Sequence, residues 1–213
     1  MSQNVSRTKE ERRVLAGTLV GTTIEWYDFF IFAQLTATLL TPLFLAPLGE
    51  SNPGLAQVLS FAMIGISFFF RPLGAIVAGH LGDRYGRKRI LVLTLILMGV
   101  ATALIGVLPT YAAVGIAAPI MLVALRIIQG FSVEHAPETR RGYFGAFPQI
   151  GVPLGMILAT GLLYVLRISM SPEQFQAWGW RIPFLMSVVL IIVGYLIRRA
   201  VEESPIFKQM ALR

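Results

Sequence analysis

Apolar residues fill six long blocks of this chain, Val14–Leu45, Leu55–Leu81, Ile90–Leu108, Ala112–Val133, Tyr143–Leu166 and Ile182–Ile197. Short polar segments separate them. A helix rising 1.5 Å per residue needs about 20 residues to cross the hydrocarbon core of a bilayer. Helix is the conformation expected for each block, because an open strand cannot satisfy its backbone in lipid. The expected spans are 14–41, 55–81, 90–108, 112–133, 143–166 and 178–197 within a bundle over 14–198, with segments 1–13 and 199–213 in the cytoplasm. The first block exceeds one crossing, so its end should leave the membrane near Thr41-Pro42. The last is short, and Trp178 and Trp180 should extend it as an interfacial belt. The start, "RTKEERRVLAGTLVGTT", has the charged and apolar regions of a signal peptide. No small-residue cleavage site follows, and the run continues through "EWYDFF", so a retained span is expected.

Composition agrees with the pattern. Of 213 residues, 55% are hydrophobic and 14% charged, whereas soluble domains carry about a quarter charged residues. The net charge of +7 would suggest nucleic acid in a soluble protein. Here the basic residues sit between apolar blocks with no aromatic-interleaved basic face, which argues against a nucleic-acid partner. There are no cysteines, which excludes disulfides and thiolate chemistry. The flanks give an orientation. Arg7, Lys9, Arg12, Arg13, Arg84, Arg87, Lys88, Arg89, Arg140, Arg141, Arg198, Arg199, Lys208 and Arg213 fall on one side, and only Arg167 and Arg181 on the other. Both termini are therefore expected in the cytoplasm.

Two details concern packing. "GTLVG" (Gly17, Gly21) and "GVPLG" (Gly151, Gly155) place small residues four apart, allowing close backbone approach. "PLGAIVA" from Pro72 returns as "PLGMILA" from Pro153, in the middle members of two successive three-helix groups, as a 3+3 repeat would require.

Four charges lie inside the blocks: Glu25, Asp28, Arg71 and Arg126. By helix rise, Glu25 and Asp28 lie about 17 and 21 Å beyond Val14, Arg71 about 15 Å from Leu81 and Arg126 about 12 Å from Glu134. All four fall near the middle of a core about 30 Å thick. An unpaired charge there costs on the order of 3 kcal/mol. Glu25 and Asp28, three apart, share one helix face, and the economical arrangement points that face at Arg71, Arg126 or both. A buried ion-pair lock would satisfy this pattern. So would a solute and proton pathway, in which a carboxylate exchanges a proton as its pairing changes and guanidinium groups bind an anionic solute. Gln34 and Gln129 could add neutral hydrogen bonds. Enzyme chemistry competes poorly. His80 and His135 have no metal-ligand spacing, and no nucleophile elbow or phosphate loop occurs. No cofactor is expected.

The segment "GHLGDRYGRKR", Gly79 to Arg89, resembles the major facilitator superfamily signature G-x-L-x-D-R-x-G-R-[KR]-[KR], in the loop between the second and third spans. "GTTIEWYDFF", "FFFRPLGAI", "LRIIQGF", "EHAPETRRG", "PQIGVPLG", "WGWRIPFL" and "VEESPIF" together resemble its metabolite:proton symporter family. The resemblance implies an all-α membrane protein, the six-helix N-terminal half of the facilitator fold with its 3+3 repeat. It implies proton-driven uptake of a small organic acid or zwitterionic osmolyte across a bacterial inner membrane. Glu25, Asp28, Arg71, Arg126, Gln34 and Gln129 become pathway candidates; Gly79, Asp83, Arg84, Gly86 and Arg87 become gating-loop candidates. Family members have about twelve helices, so the implied partners include a second copy or a separate C-terminal half, beside the bilayer, solute and protons. The alternative implied is a truncated half that inserts without transporting alone. Relatives also carry a G-G-E-W-G-G segment between "QGF" and "EHAP"; "QGFSVEHAP" joins them directly, which shortens the fourth helix and shifts Arg126 along its axis.

Overall fold

The computed structural model describes residues 2–45, 53–132 and 143–199. His135, Arg140, Arg141, Lys208, Arg213 and the "EHAPETRRG" and "VEESPIF" segments lie outside them. The first apolar block forms α1 (Ser2–Leu35), which continues into a π-wound stretch, Thr36–Leu45, containing Pro42. The helical path therefore does not stop at Thr41-Pro42, and Phe44 and Leu45 are buried. α2 (Pro53–Tyr85) and α3 (Arg87–Val107) follow.

The fourth block is broken rather than drawn into one helix. α4 (Tyr111–Val114) ends at Gly115, whose φ of 61° suits a residue without a Cβ. α5 (Ala117–Phe131) then begins, with Pro119 in its first turn, where a missing N–H leaves no helical bond unmade. α5 is thus about 22 Å long by helix rise.

After α6 (Tyr143–Ser169), the last block starts earlier than its apolar run. Ser171 and Gln174 form a reciprocal capping box at α7 (Pro172–Gln174). A π turn, Phe175–Gly179, leads to α8 (Arg181–Leu185) and α9 (Ser187–Arg199). Trp178 is exposed, as a belt residue would be, but Trp180 is fully buried. Its indole meets Phe44 and Phe184 edge-on, at centroid distances of 6.0 and 6.2 Å. Trp180 is a core residue because the π turn rotates it inward.

Among the described residues, five helical stretches are long and apolar enough to cross a membrane: Ala16–Leu45, Gly54–Tyr85, Arg89–Val107, Gln149–Ser169 and Pro172–Ile197. Ala117–Phe131 is a shorter apolar helix. Large apolar side chains face outward, among them Phe61, Phe69 and Ile76 on α2 and Ile157, Tyr164 and Ile168 on α6. Lipid is the solvent that suits such a surface.

The main helix pairs are α1 with α6, α2 with α5, and α3 with α9. Exchanging the first three spans for the last three maps this pairing onto itself, which is the 3+3 arrangement. The repeated PLG element sits at equivalent contacts. Gly74 faces the Phe131 backbone of α5, and a Cβ on Gly155 would lie 2.7 Å from the Tyr27 nitrogen of α1. Gly151 packs in the same way, its Cβ position 2.8 Å from Thr22. Without a hydrophobic drive between helices in lipid, such close backbone approach is a principal source of cohesion.

Candidate functional site

α1 presents Glu25 and Asp28 on one face, toward α2, α3 and α5. They line a narrow cleft together with Arg71, Arg126, Ser67 and Gln129. Two arrangements fill it.

At the more open edge, Arg71 Nη1 lies 3.1 Å from Glu25 Oε1. The Arg71 guanidinium also stacks over Phe68, 4.0 Å from the ring centroid, and Phe29 meets Phe68 edge-on at 5.1 Å. The Nε of Arg71 is buried without an acceptor.

Deeper, Asp28 is only 3% exposed. It accepts hydrogen bonds from two hydroxyls, Thr102 on α3 at 2.7 Å and Ser187 on α9 at 2.9 Å. Thr102 Oγ1 in turn accepts from Gln129 Nε2, and Gln129 Oε1 accepts from Arg126 Nη1 at 2.6 Å. The donors all point the same way, from guanidinium through amide and hydroxyl to carboxylate, so each bond polarises the next.

Arg126 therefore meets Asp28 through intermediaries rather than directly. The rest of its guanidinium is engaged with α2. Nε donates to the Met63 carbonyl at 3.3 Å, and Nη2 to Ser67 Oγ at 2.8 Å and the Ile64 carbonyl at 3.4 Å. The Phe32 ring covers it at 3.7 Å. One of its five N–H groups is left. Such a guanidinium ties α5 to α2, where Gly130 brings the two backbones together at Ser67.

Of the residues expected in the pathway, the structure gathers Glu25, Asp28, Arg71, Arg126 and Gln129. Gln34 is elsewhere: it donates to Thr160 Oγ1 on α6 at 3.1 Å, outside the cleft. In the loop between α2 and α3, Gly86 has φ 101° and its N–H donates to the Gly82 carbonyl at 3.0 Å. Only glycine takes that backbone without strain. Gly79 faces open space, Asp83 is exposed, and the Arg84 guanidinium lies 5.4 Å from the Tyr85 ring. The Arg87 side chain lies outside the described residues.

Residues 14–213 match the family described as "Sugar (and other) transporter". The chain belongs to that family. Within the major facilitator superfamily, this sugar-transporter-family chain is 42% identical over 210 residues to the shikimate transporter of Escherichia coli (strain K12), covering 93% of the chain and 47% of that protein. It is 40% identical to the E. coli inner membrane metabolite transport protein YhjE, covering 98% of the chain and 50% of that protein. A putative proline/betaine transporter of Staphylococcus aureus (strain COL) is 38% identical, with 96% of the chain and 46% of that protein covered. The chain thus spans about half the length of the curated relatives it matches, corresponding to their N-terminal half. The fold agrees: the proton:xylose symporter XylE bound to 6-bromo-6-deoxy-D-glucose superposes with a TM-score of 0.78 at 18% identity, over 93% of the chain and 46% of XylE. The relatives it matches are named as transporters, a non-enzyme class.

Sequence reasoning missed Thr102, Ser187 and Ser67. The first had a readable signal: Thr94 and Thr102 are the only polar side chains in the block Ile90–Leu108.

Proposed function

We infer that this chain forms one half of a proton-coupled pathway for a small organic solute, an organic acid or a zwitterionic osmolyte. The observation that carries the reading is the set of four opposed charges lining one cleft inside apolar helices. Intramembrane ionisable groups are expensive, and they recur where ions and solutes move. Guanidinium favours a carboxylate-bearing solute, and the relatives named for shikimate and for proline or betaine carry such solutes by name. One of the two carboxylates, Glu25 or Asp28, carries the proton. The lysine and arginine flanks support a bacterial inner-membrane orientation with both termini cytoplasmic. Gly79, Asp83, Arg84, Gly86 and Arg87 form the gate on that side, braced by a second six-helix bundle, either a separate C-terminal half or a second copy.

The test is proton movement in energised membrane vesicles containing this chain. Shikimate, proline and glycine betaine are added in turn, with Glu25→Gln and Asp28→Asn as controls. Solute-dependent proton influx, lost in at least one control, is expected. Confirmed insertion with no influx for any solute would overturn the reading and leave a half-transporter that does not transport alone.

A further inference from the structure

The two arginines of the cleft differ in what they have left to offer. Arg126 has four of its five N–H groups committed, to Met63, Ile64, Ser67 and Gln129, and lies under Phe32. Among the described residues Arg71 has one ion-pair partner, Glu25, and its buried Nε meets no acceptor. A guanidinium binds a carboxylate best in a two-pronged fork, so Arg71 is incompletely used in the present arrangement. The two carboxylates differ as well. Asp28 is held on both oxygens by the hydroxyls of Thr102 and Ser187 and is nearly inaccessible. The Glu25 side chain keeps 15% of its surface exposed. A solute anion reaching Arg71 must compete with Glu25.

We propose that Arg71 is the binding site for the solute carboxylate, that Glu25 holds its place in the empty cleft, and that the arriving carboxylate displaces Glu25, which takes up a proton. This rests on the proton-coupled reading above and assigns its two roles to residues. The step balances. The solute carboxylate replaces Glu25 on Arg71, and a hydronium ion from bulk solvent gives one proton to a Glu25 oxygen, its O–H bond breaking as the Glu25 O–H forms and leaving a neutral water. Charge explains why the events are joined. Displacement takes the Arg71 charge away from Glu25, and a carboxylate that loses a counter-ion among apolar helices is costly to leave ionised. One proton on Glu25 removes that cost. Among the described residues, Asp28 on its own helix, Arg71 from α2 and Arg126 from α5 are the charged groups lining the cleft with Glu25; α3 contributes Met98, and the described residues of α6 and α9 contribute none. Among these, Glu25 alone loses its guanidinium when the solute binds. The Phe68 face already stacked on Arg71 and the adjoining Phe29 ring would hold the apolar body of the solute.

The test counts protons on binding. The whole chain in lipid nanodiscs is titrated calorimetrically with shikimate at neutral pH, in two buffers of different ionisation enthalpy. About one proton should be taken up per shikimate bound. Glu25→Gln should bind shikimate at least as tightly, because the competitor is gone, with proton uptake lost. Arg71→Gln should weaken binding by about tenfold or more. Asp28→Asn should leave the proton count unchanged, and the methyl ester of shikimate should bring in no proton. An infrared difference spectrum of wild type supplies a readout without substitution: a protonated-carboxyl band should appear on adding shikimate and persist in Asp28→Asn. Proton uptake that survives Glu25→Gln, or that disappears in Asp28→Asn, would overturn the proposal while leaving proton coupling standing. A wild-type chain that binds shikimate with no proton taken up would overturn the coupling itself.

Discussion

Replacing Thr102 by valine removes one hydroxyl and little else, since the two side chains are nearly the same size. That hydroxyl donates to Asp28 and accepts from Gln129, so its loss leaves a buried carboxylate oxygen without that donor and a buried amide N–H without its acceptor. Side-chain hydrogen bonds between membrane helices average about 0.6 kcal/mol and reach about 1.7. A charged acceptor puts the Asp28 bond near the top of that range. The two bonds together predict a loss of about 2 kcal/mol for Thr102→Val. Serine keeps the hydroxyl that donates to Asp28 and accepts from Gln129, so Thr102→Ser should lose less than about 1 kcal/mol. The assay is reversible unfolding by sodium dodecyl sulfate in mixed micelles, followed by helical circular dichroism. The Thr102→Val and Asp28→Asn effects should be non-additive by about 1 kcal/mol, because they cut the same bond. Equal losses for valine and serine, or strict additivity with Asp28→Asn, would refute the hydrogen-bonded chain from Arg126 to Asp28.

Other consequences are simpler to state. Gly155→Val would push a side chain into the Thr23 and Tyr27 backbone, which cannot move aside, so about 1–3 kcal/mol of stability in the same unfolding assay should be lost. Gly161→Val, on the same helix with nothing within 4 Å, should cost less than about 1 kcal/mol. Arg181 donates to the Gly106 and Leu108 carbonyls at 2.8 and 2.7 Å and so caps the end of α3; Arg181→Gln should reduce hydrogen-exchange protection over 105–110 and cost about 1–2 kcal/mol. Gly86→Ala would force a Cβ onto φ 101° and should lower stability by about 1–3 kcal/mol. A neutral Gly86→Ala would mean the loop relaxes to another backbone path.

The parts of this molecule that sequence revealed are those with a strong contrast against their surroundings. Four charges inside apolar blocks stand out, and helix rise places them at one depth whatever the rotation of each helix. The echo of PLG at Pro72 and Pro153 likewise marks two equivalent contacts. Partner choice is another matter. Whether Arg71 or Arg126 meets Glu25 depends on the rotation of α2 and α5, which the Gly74 and Gly130 contacts fix by bringing backbones together. Arg126 proved committed to carbonyls and hydroxyls, groups every helix carries and no motif announces. Ser187 was quiet for the same reason: a hydroxyl in a membrane helix is usually content with its own backbone, and only tertiary packing turns it toward a carboxylate. Trp180 misled because tryptophan near a span end reads as an interfacial anchor, whereas the π turn at Phe175–Gly179 carries it into the core.

The central claim is that the charged cleft moves solute with protons, and accumulation tests it most directly. Proteoliposomes containing this chain, with an inwardly directed proton gradient, are given radiolabelled shikimate, and the gradient is then collapsed with a protonophore. The account predicts accumulation above the external concentration, release on collapse, and loss of accumulation in Arg71→Gln. Accumulation that ignores the gradient, or that persists undiminished in Arg71→Gln, would contradict it.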